Sequence, residues 1–342
     1  MDAKQAIIDA FQLKATTGSA PVPTTIFGGG VWTVRRWQRE FVELLSDVDA
    51  YSNLLIQAND ELRSPIIYVG SGFANFLLGA LGGKLKEHEV GPPELVEPLV
   101  RQSADELDAL DPKIIEKDPL IQNIREATRR LAKQIGETHI IAVTAWAPFT
   151  LAGQIYGVER MMRATMKQPA EVEKTVKFAT EVVKQFYRPL LEEKTFSMAC
   201  LVDPTSSGDL ISGRVFERFV LASLRDLISW MKGYGVFVWL HICGNVTKSL
   251  NLIAETCADC FSLDQKVNLA KAKGVLGGKM CIAGNVDPVA YLYQGTPGSV
   301  GEACKRCIAD GAAGGGFILT SGCDLPPTVK LENIQAMMNE GT

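Results

Sequence analysis

The chain has 342 residues, 46% of them hydrophobic and 22% charged, with a net charge of −4. That length supports a large core and suits an α/β barrel built as one domain over 1–342. The small negative charge and the lack of any lysine/arginine block exclude nucleic acid and an anionic membrane as partners on charge grounds.

The start, "MDAKQAIIDAFQLKATTG", lacks the apolar core of an export signal, and residues 1–20 are expected as a helical extension. A cytoplasmic location follows, in which the eight cysteines are reduced core residues or metal ligands rather than disulfides. The first β-rich runs are "VPTTIF" (22–27) and "PIIYVG" (65–70). The apolar stretch 66–83 is interrupted by Ser71, Asn75 and five glycines, which argues for strand, loop and short helix over a membrane span. Residues 84–119 are acidic and proline-punctuated, yet carry enough Leu, Val and Ile to pack as part of an elaborated βα segment over 84–130.

Six further strands are expected at 139–146, 196–203, 236–242, 260–264, 280–285 and 317–322, with amphipathic helices between them. In 214–235, Phe216, Val220, Leu224, Leu227 and Met231 recur at steps of three or four, and Gly233 or Gly235 can end the helix. A doubly wound sheet would read similarly, but eight β-then-α units favour a (β/α)8 TIM barrel.

Barrel enzymes place their chemistry at the C-terminal ends of the strands. Here those ends carry Asp203, His241 with Cys243, Asp264, Asn285 with Asp287, and Ser321 with Cys323. In "VWLHICGNV" (238–246), Trp239, His241 and Cys243 share one parity and project to one side of an extended chain. A histidine and a thiolate two apart can reach one ion, and zinc takes three or four such ligands. Cys323 is the best remaining sulfur and Asp264 a possible oxygen ligand. By itself a His-x-Cys pair is more often a packed strand end than a metal site; Cys323 at another strand end and the "CGN" turn bring the two readings level.

Two CxxC pairs, "CADC" (257–260) and "CKRC" (304–307), form the rival zinc reading. Their placement on separate outer elements favours structural cysteines. "GAAGGG" (311–316) precedes the last strand, and a helix-to-strand connection fits it better than a phosphate loop. Arg35 and Arg36 are as compatible with a solvated helix face as with an anion site. His88 and His139 have no partner pattern.

Several segments together resemble a known family. They are "APFTLAGQIYG" (147–157), "VDPTSSGDLIS" (202–212), "LHICGN", "SLDQKVNLAKAK", "CIAGNVDP" and "GGGFILTSGCDLPPTVKLENIQAM". From about residue 20 onward the chain resembles the uroporphyrinogen decarboxylase superfamily, and within it the cobamide-dependent methyltransferases. The resemblance implies a uroporphyrinogen decarboxylase-like (β/α)8 barrel. It also implies zinc on His241, Cys243 and Cys323, with Asp264 as a fourth ligand; Asp203, Asn285 and Ser321, at other strand ends, are candidate substrate-binding residues.

The implied activity moves a methyl group between a methylated corrinoid (cobalamin) and a small thiol such as coenzyme M, activated as the zinc thiolate. The alternatives are demethylation of a small ether, amine or halide onto a Co(I) corrinoid, a divergent decarboxylase, and a non-catalytic corrinoid or tetrapyrrole binder. The decarboxylases' early arginine-rich "R-Q-A-G-R" is replaced here by "TTIFGGGVWTVRRW", and Phe73 stands about where their "F-S-D-I" aspartate belongs. Corrinoid-binding modules carry Asp-x-His-x-x-Gly, whereas Lys86, Glu137 and Trp239 precede the three histidines here by two. A separate corrinoid protein docking over the C-terminal mouth of the barrel is therefore expected.

Overall fold

The computed structural model describes residues 2–15, 21–72, 75–88 and 93–341. Seven parallel strands lie side by side: β1 (Ile66–Val69), β2 (Ile140–Trp146), β3 (Met198–Val202), β4 (Phe237–Ile242), β5 (Cys260–Leu263), β6 (Cys281–Val286) and β7 (Phe317–Ser321). Each is almost wholly buried on both faces, as parallel strands beneath a helical layer must be.

The eighth position of the ring belongs to residues 22–27, expected as a full strand. The structure reduces this run to a single bridge between Thr24 and Leu319. Pro23 has no N–H and can only accept, here from Leu319, while Thr25 donates back to the Leu319 carbonyl. On the other side the Thr25 and Ser64 hydroxyls meet at 2.9 Å, just ahead of β1. The barrel closes at this seam with one proline-limited bridge and a hydroxyl pair.

The inward face of the ring forms its own core. Ile66, Ile140, Met198, Trp239, Cys260, Cys281 and Ile318 fill the lumen, and Phe11 of the N-terminal helix Ala3–Phe11 packs against Phe237 and Trp239. This helix plugs the lower end of the barrel, so the expected extension is part of the core. A second, larger cluster lies between strands and helices and runs from Ile26 to Met338.

The amphipathic run between the second and third strands forms the long helix Pro169–Glu192. The run 214–235 forms a continuous helical path through Gly213–Val215, a wider turn Phe216–Leu221 and Ala222–Lys232, with all five periodic apolar residues fully buried. Residues 93–119 of the proline-punctuated stretch pack on the outer layer. Glu171 accepts from the Ala104 N–H at 2.6 Å, and Lys174 reaches Asp105 and Asp108 at 2.7 Å each. Gly314, Gly315 and Gly316 take positive φ in the tight connection from helix Pro297–Gly311 to β7. No helix among the described residues is long and apolar enough to cross a membrane. Phe73 lies outside the described residues.

Candidate metal centre

His241 occupies the upper end of β4, paired in register with Val202 of β3 and Ser262 of β5. Its ring lies fully buried against Phe27, centroids 4.4 Å apart. Nδ1 sits 3.1 Å from the Ser262 hydroxyl, which leaves Nε2 facing Cys243 Sγ at 3.1 Å. Just past Cys243, the chain leaves the strand through Gly244 at φ 80°, a conformation that suits glycine; a side chain there would collide with Ser207 and Asp209. That turn holds Cys243 at the rim. Cys323 arrives from the end of β7, and the two sulfurs stand 3.6 Å apart.

The three donor atoms lie within 4.8 Å of one another and form the one group of three or more potential ligands found among the described residues. Tetrahedral zinc, with bonds of about 2.3 Å to sulfur and about 2.0 Å to nitrogen, sets S···S near 3.8 Å and N···S near 3.5 Å. Both spacings fall within half an ångström of those observed, so the residues present fit the ion. The donor chemistry fits too, one imidazole and two thiols with a hydroxyl behind the imidazole.

The contact between the two thiols drives their acidities apart. The hydrogen bond from Cys243, aided by His241, holds the Cys323 thiol well below the usual range, while the same contact and burial push Cys243 up. A dication entering here displaces the remaining proton.

The cluster forms part of the wall of a cavity of about 280 Å³ at the C-terminal mouth. Phe27, Tyr68, Phe76 and Trp146 supply most of its aromatic surface, and Asp324 its one carboxylate among the described residues. Burial pushes Asp324 up to about 6, opposed by the Gly29 N–H at 2.5 Å. Gly28, at φ 68°, lets the backbone come this close, since a side chain there would overlap the Asp324 carboxylate.

The sequence profile of the uroporphyrinogen decarboxylase (URO-D) family matches residues 29–341. The chain belongs to the URO-D family. Its relatives include the methylcobamide:CoM methyltransferase MtbA of Methanosarcina mazei, 30% identical over 64% of this chain and 62% of that protein. A methylated-thiol–coenzyme M methyltransferase of the same organism is 34% identical over 56% of this chain and 49% of its own length. The chain thus spans under two thirds of the length of these curated relatives. Among solved structures, a methyltransferase from Methanosarcina mazei superposes with a TM-score of 0.86 at 20% identity, covering 99% of this chain and 98% of that one. This likeness confirms the (β/α)8 barrel of the URO-D fold.

On this URO-D barrel the remaining expected residues fall into two groups. Asp264 stands beside the cluster but outside the three-donor set. Its two oxygens accept from the Gly244 and Lys266 N–H groups, each at 2.8 Å, and so fix the turn that carries Cys243. Asp203, Asn285 and Ser321 do not line the cavity. Asp203 is fully buried and binds the Thr150 N–H and hydroxyl at 2.7 and 2.6 Å, while its own N–H donates to the His241 carbonyl. Asn285 ties down the 264–267 turn through the carbonyls of Asp264 and Val267. Ser321 is fully buried in β7.

The CxxC cysteines do not converge: Cys257 is exposed, Cys260 lies in the lumen, Cys304 is buried and Cys307 contacts Asn285. Arg36 pairs with Glu61 at 2.6 Å, and neither it nor Arg35 lines the cavity. His88 meets Glu94 at the surface, and His139 meets Thr138. Sequence reasoning passed over Ser262, Phe27 and Asp324. Ser262 shares the parity of Asp264 in "CFSLD", a signal that points to the same rim.

Proposed function

We propose that this chain is a zinc-dependent methyltransferase moving a methyl group between a corrinoid on a separate protein and a small thiol. One observation carries the reading: His241, Cys243 and Cys323 converge with zinc spacing on the wall of a cavity that opens at the barrel mouth. Three protein donors leave one tetrahedral position for a substrate, which is the pattern of catalytic zinc. The names of the relatives, methylcobamide:CoM and methylated-thiol–coenzyme M methyltransferases, support the chemistry.

Zinc bound there supplies the Lewis acidity that keeps a substrate sulfur deprotonated near neutral pH, against a free-thiol pKa of about 8.5. The chain's residues do the rest. Ser262 fixes the His241 ring so that Nε2 points at the rim. Cys243 and Cys323, as thiolates, neutralise the ion's charge and leave the substrate sulfur nucleophilic. Phe27, Phe76 and Trp146 keep water from the reacting sulfur. The S–CH3 bond forms as the Co–CH3 bond breaks, with both electrons staying on cobalt and the thiol proton leaving to solvent.

The corrinoid comes from a partner, since no histidine here carries the corrinoid-binding signature. Exposed Leu210, after β3, and Val289 and Tyr293, after β6, offer apolar footing at the mouth for that protein. The relative that acts on methylated thiols supports the reverse direction as a second reading, in which the same sulfur site releases a methyl group to Co(I). The cationless cavity speaks against carboxylate-rich porphyrinogens, and about 280 Å³ is below the usual range for a bound cofactor. A cytoplasmic setting suits the eight free cysteines.

The test is an anaerobic assay with methylcobalamin and either 2-mercaptoethanol, coenzyme M or tetrahydrofolate, with zinc measured on the same sample. The expected result is one zinc per chain and cob(I)alamin with a thiol but not with the pterin. Full activity in Cys243→Ala, or no thiol reacting above the protein-free control, overturns the reading.

A further inference from the structure

The cavity that holds the three donors has an uneven charge inventory. Among the described residues Asp324 is its one carboxylate, and no lysine or arginine lines it. The residues outside the description (1, 16–20, 73–74, 89–92 and 342) contain no lysine or arginine either, so they add no hidden cation. Nearby cations are already engaged elsewhere: Lys266 with Asp209 at 3.0 Å, and Arg36 with Glu61.

Backbone N–H groups are the other means of holding an anion, and the glycine turns around the cavity invite that use. Three of them are spent internally. The Gly29 N–H goes to Asp324, the Gly30 N–H to the Ser71 hydroxyl at 3.4 Å, and the Gly70 N–H to the Tyr51 hydroxyl at 2.9 Å. At the start of helix Gly30–Arg36, the protein's own carboxylate stands where an anionic ligand would bind.

What the cavity does offer is aromatic and aliphatic surface and a few hydroxyls, of which those of Tyr68 and Thr144 are buried without a hydrogen-bond partner among the described residues. Tyr68 lines it, is 5% exposed, and its hydroxyl has no hydrogen-bond partner among the described residues. The Trp146 indole N–H is already bonded to Asn75, so that ring presents only its apolar body. An anion placed here would lose its water without gaining a counter-charge, whereas an uncharged molecule with one hydroxyl or ether oxygen can satisfy Tyr68.

We propose that the small substrate of this site is an uncharged thiol, or its methyl thioether, and not a sulfonate or carboxylate such as coenzyme M. This rests on the methyltransferase reading for the thiol function, while the preference for zero charge rests on the cavity wall alone.

Three thiols of matched length separate the charges: 2-mercaptoethanol, coenzyme M and 2-mercaptoethylamine. Isothermal titration of each into the zinc-containing protein is expected to show 2-mercaptoethanol binding at least about tenfold tighter than coenzyme M, about 1.4 kcal/mol. Val31→Arg, which places a cation on the wall, is expected to narrow or reverse that ratio, while Val31→Leu leaves it in place. Equal or tighter binding of coenzyme M overturns the proposal, as does tightest binding of the amine. Binding of no thiol overturns it together with the methyltransferase reading. If the binding order holds but no cob(I)alamin forms, the methyltransferase reading falls and the charge preference stands.

Discussion

Sulfur meets the inside of this barrel in two settings. At the rim are His241, Cys243 and Cys323; deeper, in the lumen, are Cys200, Cys260 and Cys281. Cys260 and Cys281 are register partners on β5 and β6, and both belong to the same apolar cluster as Ile140, Met198 and Trp239. Burial pushes the Cys260 and Cys200 thiols far above their usual range. The same element therefore has opposite fates at Cys243, just past β4, and at Cys260 on the adjacent β5. Sulfur enclosed by hydrocarbon stays protonated and packs as a small hydrophobe. Sulfur set beside an imidazole and an open cavity holds charge and can take a metal. Nitrogen and access separate a ligand from a core residue, more than the number of cysteines.

The largest test of that contrast is Cys243→Ala. Removing one rim sulfur is expected to abolish stoichiometric zinc and lower methyl transfer at least about a thousandfold, roughly 4 kcal/mol of barrier. Cys260→Ala with Cys281→Ala should keep both; loss of zinc in that pair would break the contrast. Next comes Ser262→Ala. Freed of its partner, the His241 ring should hold zinc about 10- to 100-fold more weakly, measured by competition with a chelator.

A third test uses pH. Burial pushes Asp203 up to about 6 from the usual 3.8. The fold prefers its protonated form, so its stabilising contribution is full below 3.8 and is lost as pH rises through about 6. About two units correspond to at most roughly 3 kcal/mol. Denaturant titrations of the metal-free protein at pH 4.5 and 7.5 should show this slope flattened in Asp203→Asn. An unchanged slope would remove Asp203 from the titrating groups. The smallest effect is expected from Cys281→Ala alone, about 1 kcal/mol of stability from denaturant unfolding, with zinc content intact.

Much of this was legible in the chain itself. Seven strands were visible because each is a short apolar run buried on both faces, and His241 with Cys243 because strand parity is rigid. Cys323 became a partner through barrel order and family likeness. The first strand was overestimated, since "VPTTIF" has strand composition but Pro23 cannot donate to a ladder. Asp264 looked like a ligand because it sits at a strand end. Spacing could not show that its two oxygens would each take a backbone N–H. Asp203 and Asn285, expected to touch substrate, are bonded to Thr150 and to the 264–267 turn, because a polar side chain at a barrel rim serves loops as readily as substrates. The charge character of the cavity was out of reach, as it depends on where Lys266 and Arg36 find partners.

The 80 residues between Cys243 and Cys323 carry a consequence for assembly. β4 and β7 are not neighbours; β5 and β6 lie between them, and Cys323 reaches the rim only when the last strand has joined the ring. Until then the growing barrel offers at most a two-donor site. High-affinity metal capture is thus a late event in folding, and an ion held there fastens opposite arcs of the ring, much as a clasp finishes a bracelet.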